Sequence, residues 1–162
     1  MTFLRELGSF LRYALLPGRT VAPQILGGSG LLQWQRVPID HVKLPISDRD
    51  VSRTFYSAAL APLGYRVIYD GEDALAFCTG GLEDEEPFAL ELGNAPNART
   101  HVAFTATSTE QVDAFYAAAL AAGGRDNGPP GERLYGRPYY AAFVLDPDGH
   151  NVEAVYHERP AC

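Results

Sequence analysis

Short runs of alternating apolar and polar residues fill this chain, and twice the period of two gives way to a helical one. In IDHVKLPI, 39–46, Val42, Leu44 and Ile46 share one face and His41 and Lys43 the other, the pattern of a half-buried strand. An Ala-rich stretch with helical spacing follows, opening near Ser47 with Asp48 and Asp50 in its first turn and closing at Gly64, the usual start and stop signals. Three more short apolar runs come next, RVIYD, ALAFCTG and FALEL, separated by Asp70-Gly71 and by Gly80-Gly81 with an acidic loop.

The same order then recurs. THVAFTAT at 100–107 reads as a strand, and a helix runs from Ser108 to Gly123-Gly124. A Gly/Pro-rich loop at 127–138, the strand YYAAFVLD, the turn Asp146-Pro147-Asp148-Gly149 and the strand NVEAVYH complete it. The helices carry near-copies, FYSAALAPLG from Phe55 and FYAAALAAGG from Phe115, 115 − 55 = 60 residues apart. The pattern predicts an α+β fold of paired βαβββ modules, 39–96 and 99–158. They form an open cup of mostly antiparallel sheet with helices outside.

The N-terminus stands apart. Phe3, Leu7, Phe10, Leu11 and Ala14 fall on one helical face, Pro17-Gly18 stops the pattern, and LGGSG at 26–30 reads as a flexible joint. The expected organisation is an amphipathic helix and linker over 1–36 and one domain over 37–162. The helix reads as a docking or dimer-forming element, either the contact of a homodimer or a cover over the helix layer. An organelle transit segment is the second reading of its arginines.

Composition narrows the partners. A net charge of −7 over 162 residues argues against nucleic acid and anionic membranes. No apolar run is long enough to span a bilayer. Two cysteines make no disulfide framework and fit a reducing, cytoplasmic setting. A small-molecule substrate is the remaining expectation.

The repeat also carries chemistry. His41 and His101 are 101 − 41 = 60 residues apart, and Glu91 and Glu153 are 153 − 91 = 62 apart. Each is opposed in parity to the apolar face of its strand. Two imidazoles and two carboxylates on the concave face make a mixed N/O site for a divalent metal. Lys43, two residues from His41 on the same face, is a substrate-binding candidate. Tyr140 is another, provided the hairpin pairs without a bulge and sets it across from Val155. The loop 127–138 is the expected lid, and its Arg133 and Arg137 either clamp an anionic substrate or stand exposed. His150 belongs to the turn, and His157 is too far along its strand from Glu153 to share a metal.

IDHVKLPISD, SRTFYSAALAPLGYRV, LELG, HVAF and above all FVLDPDGHNVEAVYH resemble the vicinal oxygen chelate superfamily. That superfamily includes glyoxalase I, extradiol dioxygenases and bleomycin resistance proteins, and the resemblance covers roughly 39–158. It implies a metal held by His41, Glu91, His101 and Glu153, from the first and last strands of each module, with the four ligands within one chain or exchanged symmetrically in a dimer. It further implies a glyoxalase-like lyase or isomerase using Zn, Ni, Co or Mn, with Glu153 or Glu91 shuttling the proton. With Glu91 unbound, two His and one carboxylate would instead suit an Fe(II)-dependent extradiol-type dioxygenase, with His150 or Tyr140 as acid–base residue. A non-catalytic metabolite- or drug-binding resistance protein is the third expectation.

Overall fold

The structure is a computed structural model, and it describes residues 41–79, 88–93, 99–135 and 138–158. All of these belong to the unit 37–162, and the helix expected within 1–36 lies outside the described residues. Each half begins with a strand, β1 (Val42–Ile46) or β5 (His101–Thr105), followed by a helix, α1 (Arg49–Leu60) or α2 (Thr109–Ala121). The first half continues with β2 (Tyr65–Asp70), β3 (Ala74–Thr79) and β4 (Phe88–Leu92). The second continues with β6 (Arg125–Glu132), β7 (Tyr140–Leu145) and β8 (Asn151–Tyr156).

The strands form two open four-stranded sheets of the same order, β1-β4-β3-β2 and β5-β8-β7-β6. First and last strands of each half pair parallel, and the other neighbours pair antiparallel. The α+β architecture of paired βαβββ modules is therefore the one the alternation predicts, with one parallel pair in each sheet.

Local chemistry explains the boundaries. Asp48, one residue beyond the expected Ser47, caps α1 by accepting from the Val51 amide at 3.0 Å. Ser47 instead hydrogen-bonds Asp148 of the second half through both its amide and its hydroxyl. Ser108 caps α2 through the Gln111 amide at 3.3 Å. Gly64 follows a 3-10 turn at Ala61–Leu63 with φ of 84°, a left-handed conformation that favours glycine. Part of the expected lid is edge strand: 125–132 pairs with β7 through two register shifts. Pro129 and Pro130 are tolerated there because an edge strand can lose ladder donors.

One core joins the halves. The repeated Phe55 and Phe115 are both fully buried, in one cluster with Leu44, Phe77, Phe88, Phe104, Val144 and Val152. Burying each such side chain stabilises the fold by roughly 1.5–3 kcal/mol. Phe88 of β4 meets Phe104 of β5 edge to face at 4.9 Å. A Cβ on Gly124 would lie 2.7 Å from the Phe55 ring and 2.5 Å from Val144, so only glycine allows that approach.

The turn between β7 and β8 is fastened to the first half. The buried Asp146 carboxylate accepts from Tyr56 Oη and from the His150 amide, each at 2.7 Å. Burial raises the Tyr56 hydroxyl well above its ordinary pKa near 10, and the Asp146 charge adds to this. The Thr100 amide donates to His150 Nδ1 at 3.1 Å, which leaves the proton on Nε2, 3.0 Å from the Pro45 carbonyl. Both nitrogens of this buried ring serve backbone groups, so His150 holds the turn in place and is not presented to a substrate.

Candidate functional site

Polar chemistry concentrates on the face of the second sheet turned away from the core. Parity puts His101, Phe143 and Glu153 there, because Val102, Phe104, Ala142, Val144, Val152 and Ala154 take the core face. Glu153 is 1% exposed. His101 Nε2 lies 3.1 Å from its Oε2, and Tyr139 Oη donates to its Oε1 at 2.5 Å. A carboxylate this buried needs such partners to be tolerated.

His101 is oriented in turn. Asn151 Nδ2 lies 2.8 Å from its Nδ1, and Asn127 Nδ2 donates to Asn151 Oδ1 at 2.9 Å. With Nδ1 engaged, Nε2 is the atom turned to Glu153. The imidazole also stacks on Phe143, with ring centroids 6.3 Å apart. Imidazole and carboxylate, each fixed through its other polar atom, are donors suited to a divalent cation. The half-exposed His101 side chain opens the pair to solvent.

The two halves differ at this face. Val42 pairs with Phe88, and Val102 pairs with Val152. The counterpart of Glu153 is therefore Ala89, not Glu91. Glu91 is exposed, opposite Pro45. It lies four positions beyond the residue facing His41, about 13 Å along the strand, whereas Glu153 lies two positions, about 7 Å, beyond the residue facing His101. Both slipped positions have the same parity, so alternation alone could not separate them. His41 stands exposed just before β1, and Lys43 is exposed opposite Ala89. Among the described residues no three or more His, Cys, Asp and Glu side chains come together as a metal-holding group. His101 and Glu153 meet within one chain, and His41 and Glu91 do not join them.

Tyrosine placement corrects the hairpin register by one residue. Tyr140 pairs with Tyr156, and Val155 faces Ala141. The Tyr140 side chain therefore packs on the core face, and its hydroxyl donates to Asp113 of α2 at 2.9 Å. Its pKa is raised, chiefly by that bond. The open face receives Tyr139, which the parity argument passed over. Its ring meets Tyr135 and His157 edge to face at 5.0 and 4.7 Å. A cavity of about 670 Å³ adjoins it, bounded by Arg133, Tyr139, Tyr140, Tyr156, Thr109 and acidic Glu132 and Glu158. Arg137 lies outside the described residues.

Residues 38–154 match the family model of the Glyoxalase/Bleomycin resistance protein/Dioxygenase superfamily. No curated protein matches the chain. A glyoxalase/bleomycin resistance protein from Albidiferax ferrireducens is 30% identical with a TM-score of 0.64, covering 73% of this chain and 98% of its own. A family enzyme from Burkholderia phytofirmans shares the fold at 19% identity and a TM-score of 0.59, covering 74% and 98%. So does a mutant of the fosfomycin resistance protein FosX from Listeria monocytogenes, complexed with Mn(II) and 1S,2S-dihydroxypropylphosphonic acid. Its identity is 24% and its TM-score 0.53, covering 79% and 90%.

Proposed function

Because this chain belongs to the glyoxalase/bleomycin resistance protein/dioxygenase superfamily, we propose that it is a divalent-metal-dependent lyase or isomerase acting on a small substrate with vicinal oxygens. The observation that carries this reading is the buried Glu153 carboxylate, set against His101 Nε2 at 3.1 Å. A bound Zn, Ni, Co or Mn ion would supply Lewis-acid polarisation of a substrate carbonyl, making the adjacent C–H acidic. His101 and Glu153 would hold that ion. Glu153 would also move the proton at its carboxylate oxygens, while the Tyr139 hydroxyl keeps that carboxylate in place.

Among the described residues only two of the candidate donors, His101 and Glu153, meet within one chain. We therefore assign the third position to His41 of a second copy, in a homodimer that exchanges halves across its cups. Lys43 follows His41 on the same strand face and would accompany it to the rim, where it meets substrate. Glu91, two positions beyond the counterpart of Glu153, is the second proton carrier of this reading rather than its fourth donor.

The register favours a second reading. Ala89 at the counterpart of Glu153 leaves two histidines and one carboxylate, the set used by Fe(II) dioxygenases.

The test is metal analysis of protein purified without added metal, alongside oxygen uptake during turnover. Near-stoichiometric Mn, Ni, Co or Zn that falls in His101→Ala and His41→Ala, without oxygen uptake, is the expected result. Iron with oxygen uptake supports the dioxygenase. Protein that takes up no metal on titration leaves a metabolite-binding role.

A further inference from the structure

We propose that Arg133 is the specificity-determining residue of this cup, and that the substrate carries a carboxylate at the end remote from its vicinal oxygens. The inference deepens the proposed function and rests on it for the place where chemistry occurs.

The row of residues across the second sheet defines the distance. Glu153 of β8 faces Phe143 of β7, which faces Gly128 of β6. Arg133 follows the end of β6, and its side chain folds back along that strand. A Cβ added at Gly128 would lie 3.6 Å from Arg133 Nη2, and one at Gly131 would lie 3.1 Å from Nη1. Glycine at 131 therefore leaves room for the guanidinium, which also lies within ordinary contact distance of position 128 beside the row. It sits two strand spacings, about 10 Å, from the Glu153 strand.

Three contacts fix it there. Nη2 donates to the Pro129 carbonyl at 2.6 Å and Nη1 to the Glu132 carbonyl at 3.2 Å. The guanidinium carbon lies 5.4 Å from the centre of the Phe143 ring, the ring on which His101 stacks. Two carbonyls do not exhaust the five N–H donors of a guanidinium. Among the described residues no carboxylate forms an ion pair with it. A cation held in place, half-buried and engaged in no ion pair among the described residues, is prepared for an anion.

The neighbourhood orients that anion. Glu132 and Glu158 line the adjoining cavity with Arg133, and their charge repels an anion from that side. The carboxylate therefore belongs on the Phe143 side of the guanidinium, towards His101 and Glu153. About 10 Å suits a molecule with one end at Arg133 and paired oxygens at His101 and Glu153, separated by a single ring or a short carbon chain.

The probes are 3,4-dihydroxybenzoate and its methyl ester, identical except for the charge opposite the vicinal hydroxyls. Their binding to Mn(II)-equilibrated protein is measured by calorimetry, with Mn(II) uptake measured separately. The wild type is expected to bind the acid at least about tenfold more tightly than the ester, the discrimination of one charge-assisted pair. Arg133→Gln is expected to remove that preference by weakening the acid alone, and Arg133→Lys to keep part of it. Mn(II) uptake should match wild type in both variants. Equal binding of acid and ester by wild type, a preference that survives Arg133→Gln, or binding of neither probe overturns the assignment. A preference for the acid in protein that takes up no Mn(II) supports the anion subsite while removing the metal-dependent reading.

Discussion

The two sheets have the same strand order and pairing, yet their open faces carry different chemistry. In the second half, His101 and Tyr139 converge on a buried carboxylate. In the first, the corresponding strand position is Ala89, and the nearest acid, Glu91, stands exposed two positions further on. The core faces stay alike, because Phe55 and Phe115 must fill one shared interior. Repetition of a fold thus preserves what packs and frees what does not.

The sharpest way to break this contrast is to remove each acid in turn. Glu153→Gln should weaken Mn(II) binding, measured by titration calorimetry, by about 100-fold or more, whereas Glu91→Gln should change it less than about threefold. Equal losses would restore the two acids to equivalence. The fastening between the halves comes next. Asp146→Ala strands the Tyr56 hydroxyl and the His150 amide, and urea unfolding should show a loss of about 3 kcal/mol.

Neighbouring tyrosines sharpen the comparison of faces. Tyr139→Phe should weaken Mn(II) binding about tenfold by loosening the Glu153 carboxylate. Tyr140→Phe should leave it unchanged and cost about 1 kcal/mol of stability. Reversal of that order would return Tyr140 to the open face.

The smallest effect compares the paired Tyr56 and Tyr116. The raised Tyr56 pKa means that the folded state favours the protonated phenol. Its contribution is complete below the unfolded value near 10 and is lost as pH climbs towards the higher folded value. Unfolding curves should therefore show wild type losing stability above about pH 10, a loss that Tyr56→Phe blunts more than Tyr116→Phe does. An equal response of both variants would mean that burial and the Asp146 charge raise Tyr56 no further than Tyr116 is raised by its own surroundings.

The fold was legible because alternation, caps and the doubled FY-x-AAL stretch report local preferences. His101 and Glu153 were legible for the same reason, each being set by parity within one strand. What escaped depends on register. The offset of 62 between Glu91 and Glu153 is two short of the 152 − 88 = 64 that the pairing gives, and a slip of two leaves parity intact. Tyr139 and Tyr140 show the opposite failure, where one residue in hairpin pairing exchanges faces entirely. The edge strand at 125–132 was hidden because Pro and Gly obscure β-propensity at positions where pairing comes from the neighbouring strand.

The Asp146–His150 turn has a consequence for the molecule as a product of duplication. Tyr56 and the Pro45 carbonyl belong to one copy, and the acceptor and donor that complete them belong to the other. The copies have ceased to be interchangeable and have become complementary fragments. Severed at their junction, each would expose hydrogen-bonding groups whose protein partners lie on its sibling. Reunited in solution, they would have a chemical reason to recognise each other before either recognised a second copy of itself.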